Sequence, residues 1–440
     1  MTSADSDGVG SEDVLEGDVP PPRAPRTRFN RKRDYAGIGL IVVALVAAVV
    51  VVWQKSDLRA TTSITTERQY EEPAAPEFFP PSLGEVWRAE SPATWEPVIA
   101  GPTVVTGRGG EVAGRDPETG DVRWTYRRDL ELCTVSTQWR NAVALFRTTE
   151  NALPDSDPRH AGGCSEMTSL DPVSGKRDRQ RNSDAERGTR LIGDGVYLTA
   201  TGERLLTSVR SDLVETMDYG QVPAMVNAEK QPRTGCTYKS AYAASNKIAV
   251  IERCPNDAAA RLTVYKATGK DNEADKPVEV LSSVLGSESA QVVAMNDELT
   301  AVAMPSPNRL VVYGAEGAQA ATYDLDLGPD DLRADPPGRA SPVTKATGAF
   351  HWFSGSRTIV VSATELRPLW TIKDTLGPGT VFAGRALFPV KDAISVVSQA
   401  DGKEVGRIPV DRANHTGVVT MSSIGPIVLE QRGTTLVALH

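Results

Sequence analysis

Histidine is scarce in this sequence: four of 440 residues, His160, His351, His415 and His440. Their surroundings place them on loops or at the terminus, where a histidine is ordinarily a surface group. Cysteine is equally rare, with Cys133, Cys164, Cys236 and Cys254. No two of these stand at C-x-x-C spacing, and with so few histidines a zinc site is excluded. The sequence also lacks an H-E-x-x-H pair, a serine nucleophile elbow, a phosphate-cradling P-loop and a glycine-rich dinucleotide turn. No catalytic residue is therefore assigned. Positive charge is in deficit, with 48 Lys and Arg against 57 Asp and Glu and a net charge of −9. General nucleic-acid binding wants a basic face that displaces counterions, so that class is excluded. No amphipathic helical pattern occurs after residue 82.

What is present begins with one long apolar run. Residues 36–53, AGIGLIVVALVAAVVVVW, carry no charge. At ~1.5 Å per residue, such a run crosses a hydrocarbon core of ~30 Å. Tyr35 and Trp53 stand at its two ends, where amphipathic aromatics prefer the interface. Arg28, Arg31, Lys32 and Arg33 precede it, and Lys55 and Arg59 follow, so the positive-inside bias favours a cytoplasmic N-terminus. A cleaved signal peptide fits less well. The apolar core is too long, the positive region starts more than twenty residues in, and Leu58-Arg59-Ala60 is a poor cleavage site. No cysteine ends the run, which excludes a lipoprotein anchor. The sequence therefore predicts a single-pass plasma-membrane protein, in contact with the lipid bilayer through residues 36–53.

Residues 1–34 are acidic and Gly/Pro-rich, then arginine-rich, with almost no large apolar side chain. They cannot bury enough area to offset ordering entropy and are predicted to be a disordered cytoplasmic tail. Residues 35–54 are the transmembrane helix. Residues 55–82 are polar, then proline-rich, and read as an extracytoplasmic linker.

From residue 83 to 440 short β-rich runs recur, broken by Gly, Asp, Asn and Pro. They fall at 102–105 (PTVV), 143–146 (VALF), 195–199 (GVYLT), 247–251 (KIAVI), 300–304 (TAVAM), 358–361 (TIVV), 386–390 (ALFPV) and 426–430 (PIVLE). Their spacing of mostly about 40–55 residues suits a four-stranded propeller blade. Turns recur between them: Asp116-Pro-Glu-Thr-Gly120, Asp171-Pro-Val-Ser-Gly175, Lys266-Ala-Thr-Gly269 and Ser398-Gln-Ala-Asp-Gly402. Each carries glycine where a positive φ is expected. A tryptophan after such a turn, Trp124, can lie between neighbouring blades.

These residues carry a family resemblance. Asp116-x-x-Thr119-Gly120-x-x-x-Trp124 resembles the D-x-x-T-G-x-x-x-W repeat of PQQ-like (quinoprotein-like) β-propellers. The turns at Gly175, Gly269 and Gly402 match in part and lack the tryptophan. The overall composition, rich in Ala, Arg, Asp, Gly and Val and poor in Lys, is familiar from high-GC bacteria. The resemblance implies an all-β propeller at 83–440, plus the one N-terminal helix. Eight four-stranded blades are expected, with seven as the alternative and two successive β-sandwiches as a different fold. Residues 417–440 supply about three strands and 84–88 supply one. Together these complete one blade and close the ring.

Four cysteines allow three pairings. Cys133–Cys164 and Cys236–Cys254 are favoured, because each pair then falls within one blade or two adjacent ones; free buried thiols are the alternative. Each bridge would contribute on the order of 2–4 kcal/mol and suits an oxidising, extracytoplasmic address.

The family that the repeat resembles includes quinone-cofactor dehydrogenases and non-catalytic envelope propellers, among them outer-membrane assembly lipoproteins. The vicinal Cys-Cys pair common in the alcohol-oxidising branch is absent. The acidic stretch 324–331 offers oxygen ligands for calcium but lacks the EF-hand order, and reads as a solvated loop. No cofactor is expected. The expectation is a non-catalytic scaffold that binds envelope or membrane proteins; the alternative is an extracytoplasmic small-ligand sensor or quinone-dependent enzyme.

Overall fold

The computed structural model describes residues 32–54, 56, 59–147, 163–222, 228–413 and 415–440. Residues 1–31 of the expected tail and His160 lie outside the described residues. The chain divides into two units, residues 1–59 and 60–440.

The first unit holds an α-helix, Lys32–Gln54, of 23 residues. It takes in the predicted 35–54 and starts three residues earlier. Its length and apolar composition allow it to cross a membrane, and none of its side chains is buried in the protein.

In the second unit, the described strands form eight antiparallel sheets. Blade 1 comprises Val98–Ala100, Thr103–Arg108, Glu111–Arg115 and Val122–Arg128. Blade 2 comprises Leu132–Gln138, Asn141–Phe146, Cys164–Leu170 and Arg177–Ala185. Blade 3 is Leu191–Gly193, Leu198–Ala200, Leu205–Val209 and Glu215–Gly220; blade 4 is Thr237–Ala244, Lys247–Arg253, Arg261–Gly269 and Pro277–Val284. Blade 5 is Gln291–Met295, Thr300–Met304, Arg309–Tyr313 and Gln319–Asp324; blade 6 is Val343–Ala346, Ala349–Phe353, Arg357–Ser362 and Pro368–Lys373. Blade 7 is Thr380–Phe382, Arg385–Val390, Ala393–Val397 and Glu404–Pro409. Blade 8 takes Val419–Ile424, Ile427–Arg432 and Thr435–Leu439 from the C-terminus and Glu85–Glu90 from the start of the domain. Around the centre the first strands of neighbouring blades touch, from blade 1 through blade 5 and from blade 6 through blade 8 back to blade 1. The fold is an eight-bladed β-propeller, which leaves neither the seven-blade ring nor the pair of sandwiches.

Burial follows position in the blade. The second strands of blades 5 and 8 are buried at every residue, whereas the fourth strand of blade 7 is exposed at all but Ile408. A strand packed on both faces reads as a continuous apolar run; an outer one does not.

The blades are joined by aromatic side chains docked on glycine turns. Trp124, on the outer strand of blade 1, is fully buried. Its Nε1 donates to the Pro172 carbonyl at 2.9 Å, in the turn 171–175 of blade 2. A Cβ on Gly175 would stand 2.6 Å from the Trp124 ring. Trp87, on the outer strand of blade 8, repeats the contact on blade 1, donating to the Pro117 carbonyl at 2.8 Å and covering Gly120. Trp370 of blade 6 covers Gly402 of blade 7. The glycine and tryptophan of the Asp116–Trp124 motif thus serve two different interfaces. Gly120, Gly175 and Gly402 have φ of +76°, +73° and +70°, as the turns demand. Gly269 differs from expectation: its φ is −72°. It is required for space, since a Cβ there would meet the Glu273 carbonyl at 1.7 Å, and Asp271 and Asn272 take the positive φ instead.

Buried ion pairs tie further blades together. Arg412, in the connector from blade 7, donates to Val390 and Ala393 carbonyls at 2.7 and 3.0 Å. Its guanidinium also grips Glu430 of blade 8 at 2.6 and 3.0 Å, and Arg432 adds a bond at 2.8 Å. Between blades 3 and 4, buried Glu252 accepts from the Tyr219 hydroxyl, the Thr263 hydroxyl and Arg233.

The segment expected as a linker is not free along its length. Thr61–Ile64 pairs with the outer strand of blade 1 as a fifth strand. Arg123 stacks on Tyr70 at 3.9 Å, and Phe79 meets Phe382 of blade 7 edge-on. A polar strand adds to an open edge through main-chain bonds alone, so no apolar pattern announced it.

Two stability changes are expected in urea titrations of the full-length protein in detergent. Trp124→Ala lowers unfolding free energy by about 3–5 kcal/mol, whereas Val86→Ala on an exposed outer-strand position changes it by less than ~0.5 kcal/mol. Glu430→Gln leaves two buried guanidinium groups without a counter-charge and costs about 3–5 kcal/mol.

Candidate functional site

The connectors that enter blades 1, 3, 6 and 8 converge on one end of the central channel. There they line a cavity of about 740 Å³. Its wall takes Trp95 from the connector into blade 1, Arg190 from the one into blade 3, Asp335 to Gly338 from the one into blade 6, and His415 and Val418 from the one into blade 8. The loop between blades 5 and 6 is long enough to cross the mouth. Ala340 bridges Ala241 of blade 4, and the Thr201 hydroxyl of blade 3 donates to the Gly338 carbonyl.

Most polar groups of this mouth are engaged. Asp335 accepts from Lys239 at 3.3 Å and from Arg339. Thr94 donates to Gln431 at 3.0 Å, and the Gln431 amide returns to the Ser91 carbonyl at 3.1 Å. His415 Nε2 lies 3.3 Å from the Val418 carbonyl. Arg190 stacks on Trp95, its guanidinium carbon 4.6 Å from the ring centre. Burial lowers the Arg190 pKa to about 10, partly offset by Glu96. Glu96 stands two residues before the inner strand of blade 1 and is half-buried. Burial pushes its carboxyl up to about 7, with Arg190 acting in the opposite sense.

The sequence-assigned residues lie elsewhere. Asp116 and Thr119 shape the blade 1 turn: Asp116 Oδ1 accepts from the Glu118 and Thr119 amides at 2.9 and 3.1 Å. Gly120 and Trp124 form the blade interfaces above. The disulfides are Cys133–Cys164 within blade 2 and Cys236–Cys254 within blade 4. Of these residues only Cys133 reaches the mouth. The acidic side chains of 324–331 face different partners. Asp326 pairs with Arg357 and Lys373, Asp330 with Arg333, and buried Asp331 accepts from Gly328 and Ser354. Cys236, Glu252 and Cys254 are close enough to suggest metal ligands, but both sulfurs are consumed in the disulfide.

His351 is not on a loop. It is in the second strand of blade 6, 1% exposed, between Phe388 and Trp370. Arg190, Trp95 and Glu96 were missed because nothing in their local sequence distinguishes them from ordinary turn residues; the mouth is assembled from four separate connectors.

No family model matches this sequence, and no curated protein matches it. The fold defines an eight-bladed β-propeller, and solved structures resemble it to different degrees. BamB from Moraxella catarrhalis is similar with a TM-score of 0.50 and 11% identity, covering 81% of this chain and 99% of that one. Dihydro-heme d1 dehydrogenase NirN in complex with DHE gives a TM-score of 0.48 and 13% identity, covering 84% of this chain and 72% of that one. At 11% identity the likeness to BamB is one of fold.

Burial of neutral His351 lowers its pKa from 6.5 to about 4. Below pH 6.5 the unfolded chain takes up a proton that the folded one refuses, so His351 withdraws stability as pH falls from 6.5 to 4. The slope contributed approaches ~1.4 kcal/mol per pH unit. Denaturant midpoints measured across that window should fall less steeply in His351→Phe than in the wild type.

Proposed function

We propose that this chain is a non-catalytic, membrane-tethered β-propeller that scaffolds a protein complex in the bacterial cell envelope. In this reading the helix lies in the plasma membrane, with the N-terminus cytoplasmic and the propeller outside. The basic residues Lys32 and Arg33 on the N-side of the helix support that orientation. Two disulfides suit an oxidising compartment. The repeat at Asp116–Trp124 resembles one shared by non-catalytic envelope propellers, and those supply the analogy.

The observation that carries the reading is how the mouth loops are held. The connectors sit on a ring of buried strands, and Asp331, Asp335 and Gln431 are committed to fixing them. A rigid scaffold that displays loops is suited to protein recognition. The cavity of about 740 Å³ supports one other reading, a sensor for a small ligand.

The test is a pull-down of tagged full-length protein from mildly solubilised membranes, beside a control that retains only residues 1–59. Recovery of defined envelope proteins with the full-length bait alone is the expected result. A full-length bait that comes down with nothing the control lacks contradicts the scaffold.

A further inference from the structure

Arg190 is held closely for a residue whose guanidinium has no hydrogen-bond partner among the described residues. Its backbone is fixed on both sides: its N–H donates to the Thr201 hydroxyl at 3.1 Å, and its carbonyl accepts the Thr201 amide at 2.9 Å. Trp95 covers one face of the guanidinium. On the stem, Gly338 comes so close that a Cβ there would stand 2.5 Å from Arg190 Cγ. Gly338 sits at φ +61°, and its carbonyl is held by Thr201. The long connector into blade 6 is therefore shaped around this side chain.

Among the described residues, no acceptor lies within hydrogen-bond or ion-pair reach of that guanidinium. Elsewhere in the mouth, the carboxylate of Asp335 is taken by Lys239 and Arg339, and Arg339 also reaches Glu203 at 3.5 Å. Glu96 is the one acid that acts on Arg190, from beyond bonding distance. A half-buried cation without a bonded counter-charge is costly. A planar guanidinium completes its bonding best with a carboxylate, two donors to two oxygens.

We propose that the channel mouth is a docking pocket for an extended segment of a partner protein that carries a carboxylate, with Arg190 as the anchor. The proposal rests on the scaffold reading and names its contact. A monoanion is favoured over a phosphate because, among the described residues, Arg190 is the one Lys or Arg that lines the cavity and the Glu96 charge already acts on it; a dianion would want a second cation. The remaining wall suits a peptide. Pro92, Pro336, Pro337, Phe353 and Val418 offer apolar contact for neighbouring side chains. The bound carboxylate would come from an Asp or Glu side chain or from a chain terminus. Glu96 competes with it for Arg190, so removing the Glu96 charge strengthens docking.

The experiment is photocrosslinking in intact cells with the full-length chain. The photoreactive residue p-benzoylphenylalanine replaces Val418, which lines the mouth and is 49% exposed. A second host carries it at Val405, on the outer strand of blade 7, as a rim control. Adducts are sequenced by mass spectrometry, and thermal midpoints confirm that each variant is folded. The expected result is an adduct at position 418 on a segment containing Asp, Glu or a chain terminus. Its yield falls about tenfold or more in Arg190→Gln, falls less in Arg190→Lys, and rises in Glu96→Gln. Should Arg190→Gln fail to fold, the opposed effects of Arg190→Lys and Glu96→Gln still decide.

A mouth adduct on a segment without an acid, or a yield indifferent to Arg190, overturns the inference and leaves the scaffold reading intact. An adduct at position 405 alone does the same and moves the contact to the rim. No protein adduct at either position, with a small carboxylate retained by the purified protein, sinks both.

Discussion

The structure depends on one strand pairing. Glu85–Glu90, from the beginning of the domain, pairs with Thr435–Leu439 at its end. Gly84 and His440 exchange main-chain hydrogen bonds of 2.8 Å in both directions at the same seam. Without this pairing blade 8 keeps three strands and an open edge, and Trp87 is not delivered to Gly120. The mouth also needs the seam. Thr420 of blade 8 donates to the Trp95 carbonyl at 2.9 Å, and Thr94 meets Gln431. These contacts join residues more than 300 positions apart in sequence. The surface against which Arg190 stacks is therefore positioned by closure of the ring.

The blades were legible because their second strands are buried on both faces. The runs at 143–146, 247–251 and 300–304 lie in such strands. The run at 358–361 is instead the third strand of blade 6. There the second strand, Ala349–Phe353, carries His351 in its middle, which breaks the aliphatic pattern. Closure was legible from the three strands left over at the C-terminus and the single one at 84–88. The linker was half legible. Its prolines and charges read as a spacer, but Thr61–Ile64 binds by its main chain, which composition does not reveal.

Interfaces and the mouth were much less visible. Trp124 stood out because its turn is complete, but its docking partner is Gly175 in the next blade. Trp87 and Trp370 make the same contact without a recognisable motif around them. The physical rule pairs a bulky ring on one blade with a glycine on another, and that rule has no fixed spacing. The mouth is harder still. Trp95, Arg190 and Gly338 are single residues in three connectors, and only the ring brings them together.

The seam is tested most directly by hydrogen–deuterium exchange on the full-length protein in detergent, followed by mass spectrometry. If closure holds the ring, amides in Glu85–Glu90 and Thr435–Leu439 exchange as slowly as those in the buried strands Thr300–Met304 and Ile427–Arg432. Rapid exchange across Glu85–Glu90, with Thr435–Leu439 still fully protected, would contradict the account and leave the propeller closed by other means.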